Sequence, residues 1–231
     1  MKQTFRATTP AGLLRILATL ALTGVIWSVS SVTYYWVLPP LDVDDGYNDA
    51  PFVFAAFYGG WVLVTYWAFG HLVPDWPSPP KLRAYIYPAA GLIAVLVAYV
   101  LLVFPSFQGA LDYGSEGPHE PFVVSAAYFL PKTVEILLQQ LLIAALVLRL
   151  RAEGFALWAN ALIVAVLFGG FHLTLGLIYS EPGVVAKVTF VATGLGLLAP
   201  LLILRVPGGF LFSCAVHWSF YAWLALIFRP H

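Results

Sequence analysis

The chain has 231 residues, 61% of them hydrophobic, and its 11 Lys and Arg balance 11 Asp and Glu. With only 10% charged residues, against roughly 25% in a soluble domain, and a mean hydropathy of +0.88, the composition excludes a water-soluble globule. The zero net charge, with no Lys/Arg stripe to neutralise phosphates, argues against nucleic acid as a partner. The single cysteine, Cys214, excludes an intrachain disulfide or a Cys-rich metal site.

Apolar runs bounded by Pro, Gly and charge predict seven helices, at about 13–38, 52–73, 84–104, 122–148, 155–179, 188–204 and 209–228. Each is close to the roughly 20 residues needed to cross a hydrocarbon core. The expected fold class is therefore all-α: a polytopic transmembrane helical bundle of about seven spans, forming a single integral membrane domain over 1–231. The first run follows Lys2, Arg6 and Arg15 but is too long for the apolar part of a cleaved signal, so it is read as a membrane helix. The segments 39–51 and 105–121 are long enough to fold over one face as short helices or caps. The Pro-rich stretch from Pro74 to Pro80 reads as a stiff connector.

Charge sorts by loop. Lys2, Arg6, Arg15, Lys81, Arg83, Arg149, Arg151 and Arg205 fall on one side, while Lys132, Lys187 and Arg229 lie elsewhere. Asp42, Asp44, Asp45, Asp49, Asp112, Glu116, Glu120 and Glu181 fall on the other side. The positive-inside rule then predicts a plasma (inner) membrane protein with a cytoplasmic N-terminus. Trp36, Tyr58, Trp76, Tyr85, Trp158 and Tyr179 lie near span ends, where interfacial anchoring accounts for them.

Ionisable groups at membrane depth mark functional sites by default, and three fall inside spans: Glu135, His172 and His217. Lys132, Glu135 and Gln139 share one helical face in the fourth span, and Pro131 is expected to kink that helix just outside the carboxylate. Gly169, His172 and Gly176 share a face of the fifth, where a neighbouring backbone can approach closely. Ser213, His217 and Tyr221 form a polar stripe on the last. Each residue alone is compatible with a buried pair or a helix–helix hydrogen bond. Together, one carboxylate and two imidazoles on three helices are the groups needed to bind and activate a water. His71, His119 and His231 are weaker candidates.

The order of these residues resembles the CPBP family of intramembrane proteases, which includes the type II CAAX prenyl endopeptidases and abortive-infection-like proteins. That pattern is a Glu-Glu-x-x-x-Arg segment, then Phe-x-x-x-His, then a late His usually followed four residues later by Asn. Phe168 and His172 match the second element, His217 the third, and Glu135 one half of the first, over a family-like core of about 122–228. Val134 and Ile136 leave the second Glu missing, the Arg position falls on Gln139 or Gln140, and Tyr221 stands where Asn is commoner.

The resemblance implies that Glu135 activates a water, assisted by His172, to attack a peptide bond of a membrane-associated protein or peptide. His217 and Tyr221 would stabilise the oxyanion, with Gln139, Gln140 and Phe168 in support. Glu135, His172 and His217 could instead hold zinc, at the expense of a separate general base. Competing readings are a catalytically inactive homologue acting as a membrane scaffold or partner-binding protein, bis-histidine haem ligation by His172 and His217, and a proton-coupled transporter using Glu135.

Overall fold

The structure, a computed structural model of the chain, describes residues 9–43, 45–75, 110–111, 122–123, 126–174 and 182–227, together with helical positions 91, 94 and 98. The regular structure among the described residues is helical apart from one two-residue β pair. Seven helices are named here: α1 (Pro10–Leu41), α2 (Gly46–Asp49), α3 (Pro51–Phe69), α4 (Phe129–Ala152), α5 (Leu157–Leu173), α6 (Pro182–Arg205) and α7 (Gly209–Ile227). A 3-10 turn, Gly70–Asp75, follows α3.

Among the described residues, four helices are long and apolar enough to cross a membrane: Pro10–Leu41, Pro51–Leu72, Phe129–Ala152 and Val185–Arg205. Leu157–Leu173 is apolar but shorter. Their outward surfaces carry large apolar side chains, with Trp67 87%, Phe52 79%, Phe190 79% and Val166 71% exposed. Side chains of that kind facing outward suggest a membrane protein, because hydrocarbon, unlike water, levies no penalty on them. The predicted helix at 84–104 lies outside the described residues, except that positions 91, 94 and 98 are helical.

The fourth predicted span needs correction. Phe122–Val123 pairs antiparallel with Ala110–Leu111 in a short β ladder, and the helix begins only at Phe129 and runs to Ala152. Apolarity carried the prediction back to 122, but Phe122-Val123 is an aromatic and a β-branched residue and suits a strand. The later start also removes the expected kink at Pro131. That residue lies in the first turn of α4, where its missing N–H would have had no intrahelical acceptor.

Helix α4 is the hub. In its most apolar stretch 61% of residues are buried, against 22–28% in the other three long helices. One side of it packs Leu138, Leu142 and Leu148 against Ile26 and Tyr34 of α1 and Phe54, Tyr58 and Phe69 of α3. Another packs Ile143, Val147 and Leu150 against Val164 and Phe168 of α5 and Ala199 and Ile203 of α6. The fully buried Asn160 of α5 donates to the Val147 carbonyl at 2.8 Å and ties α5 to the hub.

The close approach expected at Gly169 is present: a Cβ there would overlap Thr193 of α6. A second small-residue contact faces it, since a Cβ on Gly196 would stand 2.8 Å from the Ala165 Cα. Backbones this close pack tightly without large side chains. Gly176 lies outside the described residues.

One end of the bundle collects charge as the loop pattern anticipates. Arg15 of α1 donates to both carboxylate oxygens of Glu153 at 2.7 and 3.0 Å. Arg149 donates to Thr19 at 3.3 Å and lies 3.0 Å from the His71 ring. At the other end α1 stops at Asp42, which adopts the left-handed conformation at φ 53°, one that Asp tolerates better than most residues. The Asp45 side chain then caps α2 by accepting from the backbone N–H groups of Tyr47 and Asn48. The Asp49 side chain accepts from the Asp45 N–H at 3.0 Å. This reciprocal capping closes 45–50 into a short strap, which agrees with a short helical cap over one face.

Candidate active site

The strap delivers a residue that sequence reasoning missed. Tyr47 points inward from α2, and its hydroxyl lies 2.8 Å from Glu135 Oε2 and 2.8 Å from the Tyr58 hydroxyl. A Cβ on Gly46 would overlap the Phe54 ring, so only a glycine lets the strap lie this close. Tyr58, read above as an interfacial anchor, is instead 5% exposed and part of this polar cluster. Burial pushes the Tyr47 phenol well above its ordinary pKa, so it remains a hydrogen-bond donor. The only sequence signal for it was an aromatic residue within an acidic turn.

Glu135 lies in the second turn of α4. The shared face with Lys132 and Gln139 is realised: Lys132 Nζ donates to Oε2 at 2.7 Å and Gln139 Nε2 donates to Oε1 at 2.8 Å. With Tyr47, the carboxylate therefore accepts from three donors. The Lys132 ammonium also stands 4.2 Å over the centroid of Tyr221, 5.4 Å over that of Tyr47 and 5.8 Å over that of Tyr128. Carboxylate on one side and aromatic faces on the other compensate a cation removed from water. Lys132 fell outside the charge sorting because it belongs to this site and not to a loop.

His217 is 4% exposed in α7. Its Nδ1 lies 3.1 Å from Gln140 Nε2, and Gln140 Oε1 accepts from the Ser213 hydroxyl at 2.6 Å. An amide nitrogen can only donate, so Nδ1 is the acceptor and the proton sits on Nε2. His172 lies in the last described turn of α5, nearer a helix end than the sequence placed it. Its Nδ1 is 2.7 Å from the Phe168 carbonyl. A carbonyl can only accept, so Nδ1 carries the proton here and Nε2 offers a lone pair. The two imidazoles are thus in opposite tautomers.

A chain of contacts links the three predicted residues: Lys132 pairs with Glu135 and stands over Tyr221, Tyr221 lies beside His217, and Phe168 packs against both imidazoles. The Phe168 ring touches both imidazoles, with centroids 4.8 Å from His172 and 6.0 Å from His217. Tyr221 stacks beside His217 at 5.7 Å. Trp27 of α1 closes over His172 at 5.9 Å, and Trp218 donates to Thr133 at 3.0 Å beneath Phe129.

Metal does not suit this donor set. The Glu135 oxygens already face a lysine ammonium at 2.7 Å and two further donors, so a cation there would compete with a like charge for the same carboxylate. Among the described residues no three His, Cys, Asp or Glu side chains gather closely enough to hold a metal ion. Haem fares no better, since the Phe168 ring packs against both imidazoles that would have to ligate it.

No family model, no curated protein and no solved structure matches this chain.

Proposed function

We propose that the chain is an intramembrane endopeptidase. In this reading it forms a bundle of about seven spans in the plasma membrane, with its N-terminus cytoplasmic, and resembles the CPBP proteases. The observation that carries the reading is the chain of contacts through Lys132, Tyr221 and Phe168 that links Glu135 of α4, His172 of α5 and His217 of α7, with imidazoles in complementary tautomers. One ring then serves as acceptor and the other as donor, as a hydrolytic site requires.

A carboxylate has about four lone-pair positions, and three donors leave Glu135 one for a water. That water donates to Glu135 and to His172 Nε2, and its oxygen attacks the substrate carbonyl carbon. The proton released passes to the Glu135–His172 pair and then to the departing amine nitrogen as the C–N bond breaks. His217 Nε2–H, with the Tyr221 hydroxyl, donates to the oxyanion. Lys132 supplies the fixed positive charge that Gln139 and Gln140, at the family's Arg position, do not. Recognition of a membrane-associated peptide or protein takes place within or at the surface of the lipid bilayer.

One observation favours a second reading. Three donors on Glu135, one of them a lysine at 2.7 Å, leave little of the carboxylate open to a water, which suits an inactive family homologue that serves as a membrane scaffold or partner-binding protein.

The test is cleavage of transmembrane peptides by full-length protein in proteoliposomes, with new termini read by mass spectrometry. The wild type should cleave. Glu135→Gln and His172→Ala should each lose activity by roughly 100-fold or more while remaining folded and monodisperse. A folded wild type that cuts no substrate in a broad panel, or variants that keep full activity, would refute the peptidase reading. The scaffold reading would then require a stable partner on pull-down.

A further inference from the structure

Gln140 and Ser213 contribute nothing to the carboxylate cluster, yet both are fully buried and joined to His217. Burying a primary amide and a hydroxyl in a bundle costs free energy unless every group finds a partner. These two find each other and one imidazole nitrogen. Ser213 and His217 lie one turn apart on α7, and Gln140 reaches them from α4. The hydroxyl donates to Oε1 at 2.6 Å, and with the amide so set Nε2 faces His217 Nδ1 at 3.1 Å.

We infer that Ser213 and Gln140 are positioning residues that lock His217 as the Nε2–H tautomer, presenting its one N–H as a donor on the ring edge away from Gln140. The inference deepens the peptidase reading and rests on it for its catalytic meaning. The tautomer itself is a separate, measurable property. Without Ser213 nothing in the relay selects one face of the Gln140 amide. A half-turn about its last bond would present Oε1 to Nδ1 and move the proton there. A glutamate at 140 would force that outcome, because a carboxylate only accepts.

The experiment is nitrogen-15 NMR of the full-length protein in detergent micelles with labelled histidine, the His217 signals being identified by their loss in His217→Gln. Bare and protonated ring nitrogens resonate far apart. In the wild type His217 should show a protonated Nε2 and a bare Nδ1. Gln140→Glu should reverse the pattern, and Ser213→Ala should lower the tautomer ratio by up to about tenfold, the worth of one net hydrogen bond. If Gln140→Glu fails to fold, Ser213→Ala alone carries the test. A bare Nε2 in the wild type, or no change in Ser213→Ala, overturns the inference.

Activity is a second arm. Gln140→Glu should lower kcat by about 10²–10³ with KM little changed, as for loss of an oxyanion donor. If the tautomer behaves as expected but the wild type cleaves nothing, the relay stands and the peptidase reading falls. If cleavage occurs with His217 in the other tautomer, the reverse holds.

Discussion

Replacing Lys132 by Met keeps the length and apolar stem of the side chain and removes only its charge. The ammonium and Glu135 carboxylate are 2.7 Å apart, with side chains 10% and 16% exposed. Removing one partner of a buried pair costs roughly 3–5 kcal/mol because the other charge stays behind. Here Tyr47 and Gln139 still donate to the carboxylate, so the expected cost lies at the low end, about 3 kcal/mol. For a chain of this length that lowers an apparent Tm by roughly 6–12 °C. The double variant Lys132→Met/Glu135→Gln removes both charges and should recover to within about 1 kcal/mol of the wild type, since a neutral replacement of a buried pair is often tolerated. The measurement is a thermal-unfolding cycle of the four proteins in one detergent, followed by tryptophan fluorescence. A double variant as unstable as the two single losses added together would show that the pair is not coupled, and the account of the site would fail with it.

Tyr47→Phe keeps the ring against Tyr34 and Tyr128 but removes the hydroxyl that joins Glu135 to Tyr58. It should destabilise by roughly 1–3 kcal/mol, read in the same melting assay. A change indistinguishable from zero would detach the strap from the site. At the charged end, the Arg15 guanidinium holds the Glu153 carboxyl below its ordinary pKa. A lowered folded value means that the stabilisation is fully present above the ordinary carboxylate range and is lost as pH falls through the folded value. The Tm difference between wild type and Glu153→Gln should therefore be constant from about pH 7 to pH 5 and shrink below that. A difference that grows on acidification would contradict the pairing.

The sequence disclosed more of the site than of its surroundings. Glu135, His172 and His217 stood out because ionisable groups are rare in apolar helices, and the 3.6-residue period correctly grouped Lys132 with Glu135 and Gln139. Gly169 announced a close helix contact for the same reason, as a missing side chain on a packing face. Tyr47 and Tyr58 stayed hidden because tyrosines near helix ends are ordinarily interfacial, and nothing local distinguishes one that turns inward. Hydropathy also misplaced the start of α4, since it measures apolarity and Phe122-Val123 is as apolar in a strand as in a helix. The separate duties of Gln139 and Gln140 were not legible either. Adjacent residues on a helix point about 100° apart, so one meets the carboxylate and the other an imidazole on a different helix.

That division bears on how the site works. A general base needs a lone pair exposed to water, whereas a structural carboxylate needs every lone pair filled. Glu135 lies between these limits, with three donors supplied by three residues. Lys132 and Gln139 come from its own helix and move with it. Tyr47 comes from the strap, so it is the one donor that can be withdrawn without disturbing α4. If Glu135 acts as the base, Tyr47→Phe frees a second lone pair of the carboxylate for water. Peptide cleavage per folded molecule should then hold or rise even as stability falls. If Glu135 is structural, the same variant only loosens the bundle, and no cleavage appears in either protein. A variant that loses activity in full while its fold and the Lys132–Glu135 pair persist would instead make the Tyr47 hydroxyl part of the chemistry, contrary to the mechanism proposed.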